Sequence, residues 1–444
     1  MTNRRDFLAL GTGALGVMAL SPAAVLAHDA ARKAELAGWL GTALHGGDIA
    51  HATMADDERF WARVRRGYAL DPGVVNLDHG WTNPTPRAAV EALVRGARDL
   101  ESLPADRIPR YWEETTDKAG RAAVARALGV PAAEIALVRN ATEALDTVLL
   151  GVPLERGDEI VCSAHDYYAM LDALEQRQKR DGVVIRMIHP PVPVPSLDAL
   201  AALYEGAIGP RTRLVLLTNP SNLTGQLLPV RRIADAAHRA GAEVVVDGAQ
   251  SLGLVPDPVA SLDCDYYGAS LHKWLGAPVG FGVLWMRPAH AGKVWPLIPP
   301  GASASGMARF EWIGTTPEYV GPALLPALEV QEQLGAERKI ARLRYLNRYW
   351  RTRMAAALPD AQFYTREDEA MSCGLCVVEV PGADSDAIQK RLLARHRVLV
   401  QAMTGARAAE IRGIRVTPNV FTSLRELDGF LAGFMESVTV IRKA

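Results

Sequence analysis

The sequence carries no excess of charge of either sign. Of its 444 residues, Lys and Arg supply 49 and Asp and Glu 50, a formal net charge of −1. That balance gives no basic surface for nucleic acid and no charged interaction tail. Cysteine is scarce, with only Cys162, Cys264, Cys373 and Cys376. Cys373 and Cys376 have CxxC spacing, but no second ligand pair is placed to complete a zinc site, so no metal is expected. The pair runs straight into Val-Val-Glu-Val, a strand pattern, whereas redox-active pairs open a helix. These residues therefore read as ordinary core and loop cysteines. Past the N-terminus no apolar run is long enough to span a membrane. There is no short repeat and no low-complexity tract. What remains is an ordinary globular composition, 49% hydrophobic and 22% charged. The length suits one large domain plus a smaller one.

The N-terminus reads as a targeting segment. Arg4-Arg5-Asp6-Phe7-Leu8 matches the twin-arginine export pattern, with Asn3 where Ser or Thr is usual. A mildly apolar run from Leu8 to Leu20 follows, and Val25-Leu26-Ala27 offers a cleavage site after Ala27. Residues 1–27 are thus expected to be a signal peptide, the mature protein periplasmic or secreted, without stable membrane insertion. An uncleaved anchor is the alternative. Gly11-Thr-Gly13-Ala-Leu-Gly16 spells the dinucleotide fingerprint GxGxxG. That motif has meaning only between a strand and a helix, so a nicotinamide cofactor is not inferred.

Residues 28–75 read as a partly helical N-terminal segment. From there to about residue 320, short apolar strands alternate with helical stretches. Seven strands are expected at Ile135–Val138, Glu159–Ser163, Val183–Ile188, Arg213–Thr218, Glu243–Asp247, Asp265–Ser270 and Val279–Met286. Helices are expected at Ala141–Leu150, Tyr168–Arg177 and Val230–Ala240. This alternation predicts an α/β domain with a mainly parallel seven-stranded sheet covered on both faces. Ligand groups then belong at the C-terminal strand ends. Residues 321–444 open on a long helical connector over 322–357. A strand (Leu375–Val380), a helix (Ser385–His396), two strands (Val398–Gln401, Gly413–Thr417) and a closing helix (Leu424–Val438) follow, a small α+β domain.

Polar residues cluster at those strand ends. Glu243-Val-Val-Val-Asp247 is a buried strand closed by a carboxylate, which is costly unless partnered. Gln250 lies three residues on, and Lys273 stands between His272 and Trp274 in the apolar stretch Ala269–Gly276. Lysine is seldom buried without a partner, and a snorkelling surface lysine is the simpler account. Pyridoxal phosphate, however, needs a lysine for its aldehyde and a carboxylate for its ring nitrogen. Asn140 and Glu143 have capping-box spacing at a strand-to-helix junction, where exposed N–H groups favour a phosphate. His165 and Asn222 follow two further strands.

The set RNATEAL, SAHDYY, NPSNLTG, VVVDGAQS, ASLHKW and EWIGTTP resembles the class V aminotransferase family of fold-type I pyridoxal-phosphate enzymes, over about residues 70–440. Its branch of isopenicillin N epimerase-like proteins fits best. The resemblance implies a Schiff base at Lys273 and a partner for the pyridinium nitrogen in Asp247. It places Gln250 and Asn222 toward the phenolic oxygen and stacks His165 on the ring. Ala141, Thr142, Ser270 and His272 become phosphate donors. Thr315, after Gly314, would complete the phosphate site of the neighbouring subunit, which implies a homodimer. Arg415, between Ile414 and Val416, becomes the candidate for a substrate carboxylate, and Arg110 a weaker candidate for a substrate side chain.

The function that follows is chemistry at the α-carbon of an amino acid or an amino-acid-containing metabolite, by transamination or epimerisation. Two alternatives stay open: a lyase of the cysteine desulfurase type, and a non-catalytic binding protein that keeps the fold. Desulfurases carry a cysteine shortly before the arginine, and here no cysteine occurs after Cys376.

Overall fold

The computed structural model describes residues 54–256, 258–300, 305–405 and 408–443. The expected signal peptide, residues 1–27, and most of the expected N-terminal segment lie outside them.

The strands, in chain order, are β1 (Val75–Asn76), β2 (Ile135–Val138), β3 (Glu159–Ser163), β4 (Val184–Ile188), β5 (Thr212–Thr218), β6 (Glu243–Asp247), β7 (Tyr266–Ser270), β8 (Gly282–Met286), β9 (Gln362–Phe363), β10 (Cys376–Glu379), β11 (Val398–Leu399), β12 (Gln401–Thr404) and β13 (Arg412–Val416). The seven expected strands form one sheet in the order β2-β8-β7-β6-β5-β3-β4. β4, β3, β5, β6 and β7 run parallel, and β8 is antiparallel to both β2 and β7. Strands β2, β3, β7 and β8 are buried along their whole length, as covering both faces of a parallel sheet requires. From β3 the chain moves outward to β4. It then crosses back to β5 and moves the other way through β6 and β7. The reversal between β3 and β5 opens a crevice at the C-terminal strand ends.

The helices α1 (Ala141–Gly151), α2 (Tyr168–Asp181) and α3 (Val230–Arg239) follow β2, β3 and β5. In α3 the buried residues are Val230, Ile233, Ala234 and Ala237, one helical stripe, with Arg231 and Arg232 outward. Asn140 caps α1 by accepting the Glu143 N–H at 2.9 Å. The capping box is displaced by one residue, because Glu143 accepts the N–H of Arg139, at 2.6 Å, rather than that of Asn140.

The expected connector is two helices, α4 (Leu324–Leu334) and α5 (Ala336–Ala357), broken at Gly335 with φ +76°. Leu324, Ala327 and Leu328 pack into the large core, and Leu346, Trp350 and Met354 into a separate C-terminal core. Across Gly335 the chain passes from the large core to the C-terminal core. The C-terminal core lies between a four-stranded antiparallel sheet, β12-β13-β10-β9, and the helices α6 (Ser385–His396) and α7 (Leu424–Ile441). Near the start of the described chain, β1 pairs in parallel with β11, Asp78 bridges Thr417, and Leu77 is buried in the C-terminal core. No helix of the described residues is long and apolar enough to cross a membrane.

Candidate active site

At the crevice lies a cavity of about 180 Å³. Thr218, Asp247 and Ser270 end β5, β6 and β7 at this cavity, Arg415 reaches it from within β13, and the loops after β2, β3, β5 and β7 supply further lining. Lys273 stands three residues past β7 and lines this cavity. Its amine makes no hydrogen bond or ion pair with the described residues. Burial lowers its pKa to about 8, with Arg415 pushing the same way and Asp247 opposing. The neighbouring backbone is tightly held. Asn83 N donates to the His272 carbonyl at 3.1 Å, and the Trp274 indole donates to Gln250 Oε1 at 2.8 Å. The buried Lys339 amine donates to the Trp274 carbonyl. Gly276 has φ +66°, which only glycine adopts freely, but the nearest atom to an added Cβ would be the Pro84 carbonyl, 3.4 Å away. This glycine serves the turn toward Pro84 and does not line the cavity.

Asp247, at the end of β6, is 2% exposed. Its Oδ1 accepts the Ala249 N–H at 2.9 Å, and its other oxygen has no hydrogen-bond partner among the described residues. Burial raises its pKa, against the pull of the Ala249 N–H and Lys273. Gln250 also lines the cavity, yet its Nε2 donates to the Gly80 carbonyl at 2.7 Å and its Oε1 accepts from Trp274. One amide N–H is left to reach a ligand.

Ala141, Thr142, Ser270 and His272 also line the cavity. The first two open α1, where N–H groups and the helix dipole favour an anion. Ala141 N donates to Ser270 Oγ at 2.9 Å. Burial, helped by Lys273, lowers the His272 pKa to about 4, so the ring is neutral near pH 7.

Arg415 projects from β13 and is 7% exposed. It donates to Asp78 Oδ1 at 2.7 Å and to the Asn222 carbonyl at 3.0 Å. Asn222 therefore lines the cavity but meets Arg415 through its backbone, with its own Oδ1 unpartnered.

Two expected site residues, His165 and Arg110, lie outside this cavity, and Thr315, expected at a neighbouring subunit's site, is also outside it. His165 is buried outside this cavity, its Nε2 bonded to Glu410 Oε1 at 2.7 Å, and burial lowers its pKa. Tyr167, two residues on and just before α2, lines the cavity instead. Arg110 is exposed and paired with Asp106 at 3.1 Å. The reason is local: Arg110 and Asp106 are spaced i,i+4 on one helical face. Thr315 is exposed and does not reach the cavity of its own chain. Sequence reading also missed Gly80 and Trp81, which line the cavity, and Asp78 behind them. The motif Asp78-His-Gly-Trp81 after β1 was the available signal. Cys373 and Cys376 are buried, and burial pushes Cys373 up to about 12, the opposite of a reactive thiol.

Two buried polar atoms on the cavity wall, Asn222 Oδ1 and Arg415 Nε, have no partner. Unsatisfied buried groups are costly, so this wall is shaped for a polar ligand. An amine, a buried carboxylate and a helix N-terminus around one crevice fit the aldehyde, ring nitrogen and phosphate of pyridoxal phosphate.

Residues 75–425 match the family model Aminotransferase class-V. The chain belongs to the class V aminotransferase family. Within that family it is 30% identical to isopenicillin N epimerase of Streptomyces clavuligerus over 85% of this chain and 98% of that protein. It is 31% identical to isopenicillin N epimerase of Amycolatopsis lactamdurans over 77% and 90%. A probable cysteine desulfurase of Pseudomonas aeruginosa is 36% identical over 49% and 54%. Among solved structures, a C-DES mutant with glycine covalently linked to its PLP cofactor superposes with a TM-score of 0.73 at 24% identity, covering 84% of this chain and 99% of that one. Cysteine desulfurase CsdA of Escherichia coli gives 0.72 at 24%, covering 86% and 99%. The fold is fold-type I.

Proposed function

We propose that this protein is a pyridoxal-phosphate enzyme that moves a proton at the α-carbon of an amino acid or an amino-acid-containing metabolite. The observation that carries this reading is Lys273: a lone amine with its pKa lowered to about 8, facing the same cavity as Asp247 and Arg415. The cofactor is pyridoxal 5′-phosphate. Bound, it supplies an electron sink that accepts the charge left at the α-carbon.

The chain's own residues do the rest. Lys273 Nζ is the amine that holds the cofactor's aldehyde. As a free amine with its pKa lowered to about 8, it would be the base for the Cα proton of a substrate. Asp247 would hold a proton on the cofactor's ring nitrogen, and a positive nitrogen there would offset the cost of burying the carboxylate. Ala141, Thr142, Ser270 and His272 bind the phosphate, and Gln250 and Asn222 face the ring edge. Tyr167, which lines the cavity where His165 does not, would be the flat group against the ring. Arg415 orients the substrate carboxylate by directed N–H groups.

Sequence coverage supports epimerisation: the Streptomyces clavuligerus epimerase matches over 85% of this chain, against 49% for the Pseudomonas aeruginosa desulfurase, while the fold is shared with desulfurases over a similar span. No cysteine lines the cavity. A homodimer belongs to this reading. Thr315 is exposed, and Gly314 lines an apolar groove of about 540 Å³ that shares Asn140 and His272 with the cofactor cavity. So does folded export directed by Arg4-Arg5, since the twin-arginine route carries folded proteins.

The purified protein is expected to show a visible cofactor absorbance that Lys273→Ala abolishes. Incubation with candidate amino acids in deuterated water then separates the reactions. Exchange at Cα with inversion and no keto acid means epimerisation, and keto acid means transamination. A band that survives Lys273→Ala would sink the assignment.

A further inference from the structure

We infer that Asp78 is a positioning residue: its carboxylate fixes the Arg415 guanidinium and offsets its charge. Arg415 then meets a substrate carboxylate through directed hydrogen bonds and not as a bare cation beside Lys273. The inference rests on the reading of Lys273 and Arg415 given above.

Asp78 Oδ1 and Arg415 Nη2 are 2.7 Å apart, and the side chains are 6% and 8% exposed. Nη1 is held by the Asn222 carbonyl at 3.0 Å, and Nε is buried without a partner. Two of the five guanidinium donors are thus committed, and the rest are aimed by those two anchors. Both partners belong to one rigid unit. Thr417 N donates to the Leu77 carbonyl at 2.8 Å, and His79 N to the Thr417 carbonyl at 3.3 Å. Gly80 closes over the pair: a Cβ there would stand 3.4 Å from Arg415 Cζ.

Asp166, behind Thr218, has its pKa raised to about 7 by burial; the other charges about the cavity form two pairs. Lys273 and Arg415 are the cations, Asp247 and Asp78 the carboxylates. His272 is held neutral by burial, and so is His79, next to Asp78, with a pKa near 3. Burial raises the Tyr167 phenol, so it too is neutral. Removing Asp78's charge leaves two cations facing one carboxylate. A bare Arg415 disfavours a protonated amine nearby and favours any anion.

Asp78→Asn keeps the size and one oxygen acceptor for Nη2 but removes the charge. Cofactor-loaded wild-type and variant proteins are titrated with propionate. Binding is read from cofactor absorbance and from tryptophan fluorescence, since Trp81 is 72% exposed on the same cavity. Propionate is expected to bind ~3–10-fold tighter to Asp78→Asn, as a gain of half a decade to a decade in the anion's favour implies. The pH midpoint of the absorbance, where one is seen, falls by on the order of half a unit. A purely structural counter-ion would lower the melting temperature and leave both readings alone, and that result overturns the inference. If Asp78→Asn does not fold, Asp78→Glu decides. It keeps the charge and displaces the anchor, so weaker propionate binding at an unchanged midpoint supports the inference and wild-type binding refutes it. Wild-type protein without a Lys273-dependent band would instead remove the underlying reading, and this inference with it.

Discussion

Tyr167 and His165 stand two residues apart after β3, and only one ring faces the cofactor cavity. The tight turn between Ser163 and α2 decides which. Asp166 is pinned by the Ser163 N–H at 2.7 Å and the Thr218 N–H at 3.2 Å. Those bonds lock the turn that places His165 against Glu410 and Tyr167 at the cavity. Tyr167→Leu is therefore expected to weaken cofactor retention by ~2–10-fold, the value of an aromatic stacking contact. His165→Ala is expected to leave retention near wild type. Dialysis against cofactor-free buffer with absorbance readout checks both, and the reverse order would reinstate His165. Lys273 and Asp247 were legible because their residue types at strand ends suit one cofactor. Asp78 was not, because a carboxylate after a two-residue strand has no pattern until Arg415 arrives from more than three hundred residues away in the chain.

At the scale of elements, strands that cross the core were visible and the accessory ones were not. β2, β3 and β6 appear at their expected limits, because each is a continuous apolar run between turn residues. β1 and β9 have two residues each and depend on distant partners, Val398–Leu399 and Val378–Glu379, so no local period announces them. The single strand expected at Val398–Gln401 divides, since Val398–Leu399 pairs with β1 and Gln401–Thr404 with β13. The turn Asn219–Gly225, which carries Asn222 to the cavity, was legible by composition, and one glycine shows its constraint. Gly225 has φ +83°, and a Cβ there would lie 2.1 Å from the Leu375 carbonyl oxygen. Gly225→Ala is expected to cost at least ~1–2 kcal/mol from the left-handed backbone alone. It should also weaken carboxylate binding, because the same turn supplies the carbonyl that anchors Arg415. Urea denaturation and a propionate titration of the folded variant check the two parts. An unchanged denaturation midpoint would contradict the steric argument.

Across the whole molecule, ionisable groups gather at both ends of the sheet, and each cluster mixes groups of opposite pH behaviour. At the end away from the cavity, Glu243 at the start of β6 and Asp265 just before β7 meet His290, His238 and Lys293. His290 Nε2 is 3.1 Å from Asp265 Oδ1, and its Nδ1 is 3.3 Å from Glu243 Oε1. Hydrogen bonds to those two carboxylates raise the His290 pKa to about 9. The folded state thus binds this proton more tightly than the unfolded chain, whose histidine titrates near 6.5. The resulting stability is full below pH 6.5 and is lost as pH rises through about 9, at no more than ~1.4 kcal/mol per pH unit. Glu243 and Asp265 have the opposite sign. Despite their burial, hydrogen bonds from the cluster hold both near pH 2, so their contribution is present above pH 4.5 and lost in acid. Lys273 and Lys339 complicate the alkaline side, since burial lowers their pKa values to about 8 and 7, and such groups add stability as pH rises. The His290 contribution therefore emerges only as a difference between proteins. The stability gap between wild type and His290→Gln, from denaturant unfolding at pH 6, 8 and 10, is expected to be largest at pH 6 and to shrink toward pH 10. Cofactor absorbance should be unaffected, because the cluster lies at the opposite end of β6 and β7 from Lys273. A gap independent of pH would show that His290 acts through packing alone.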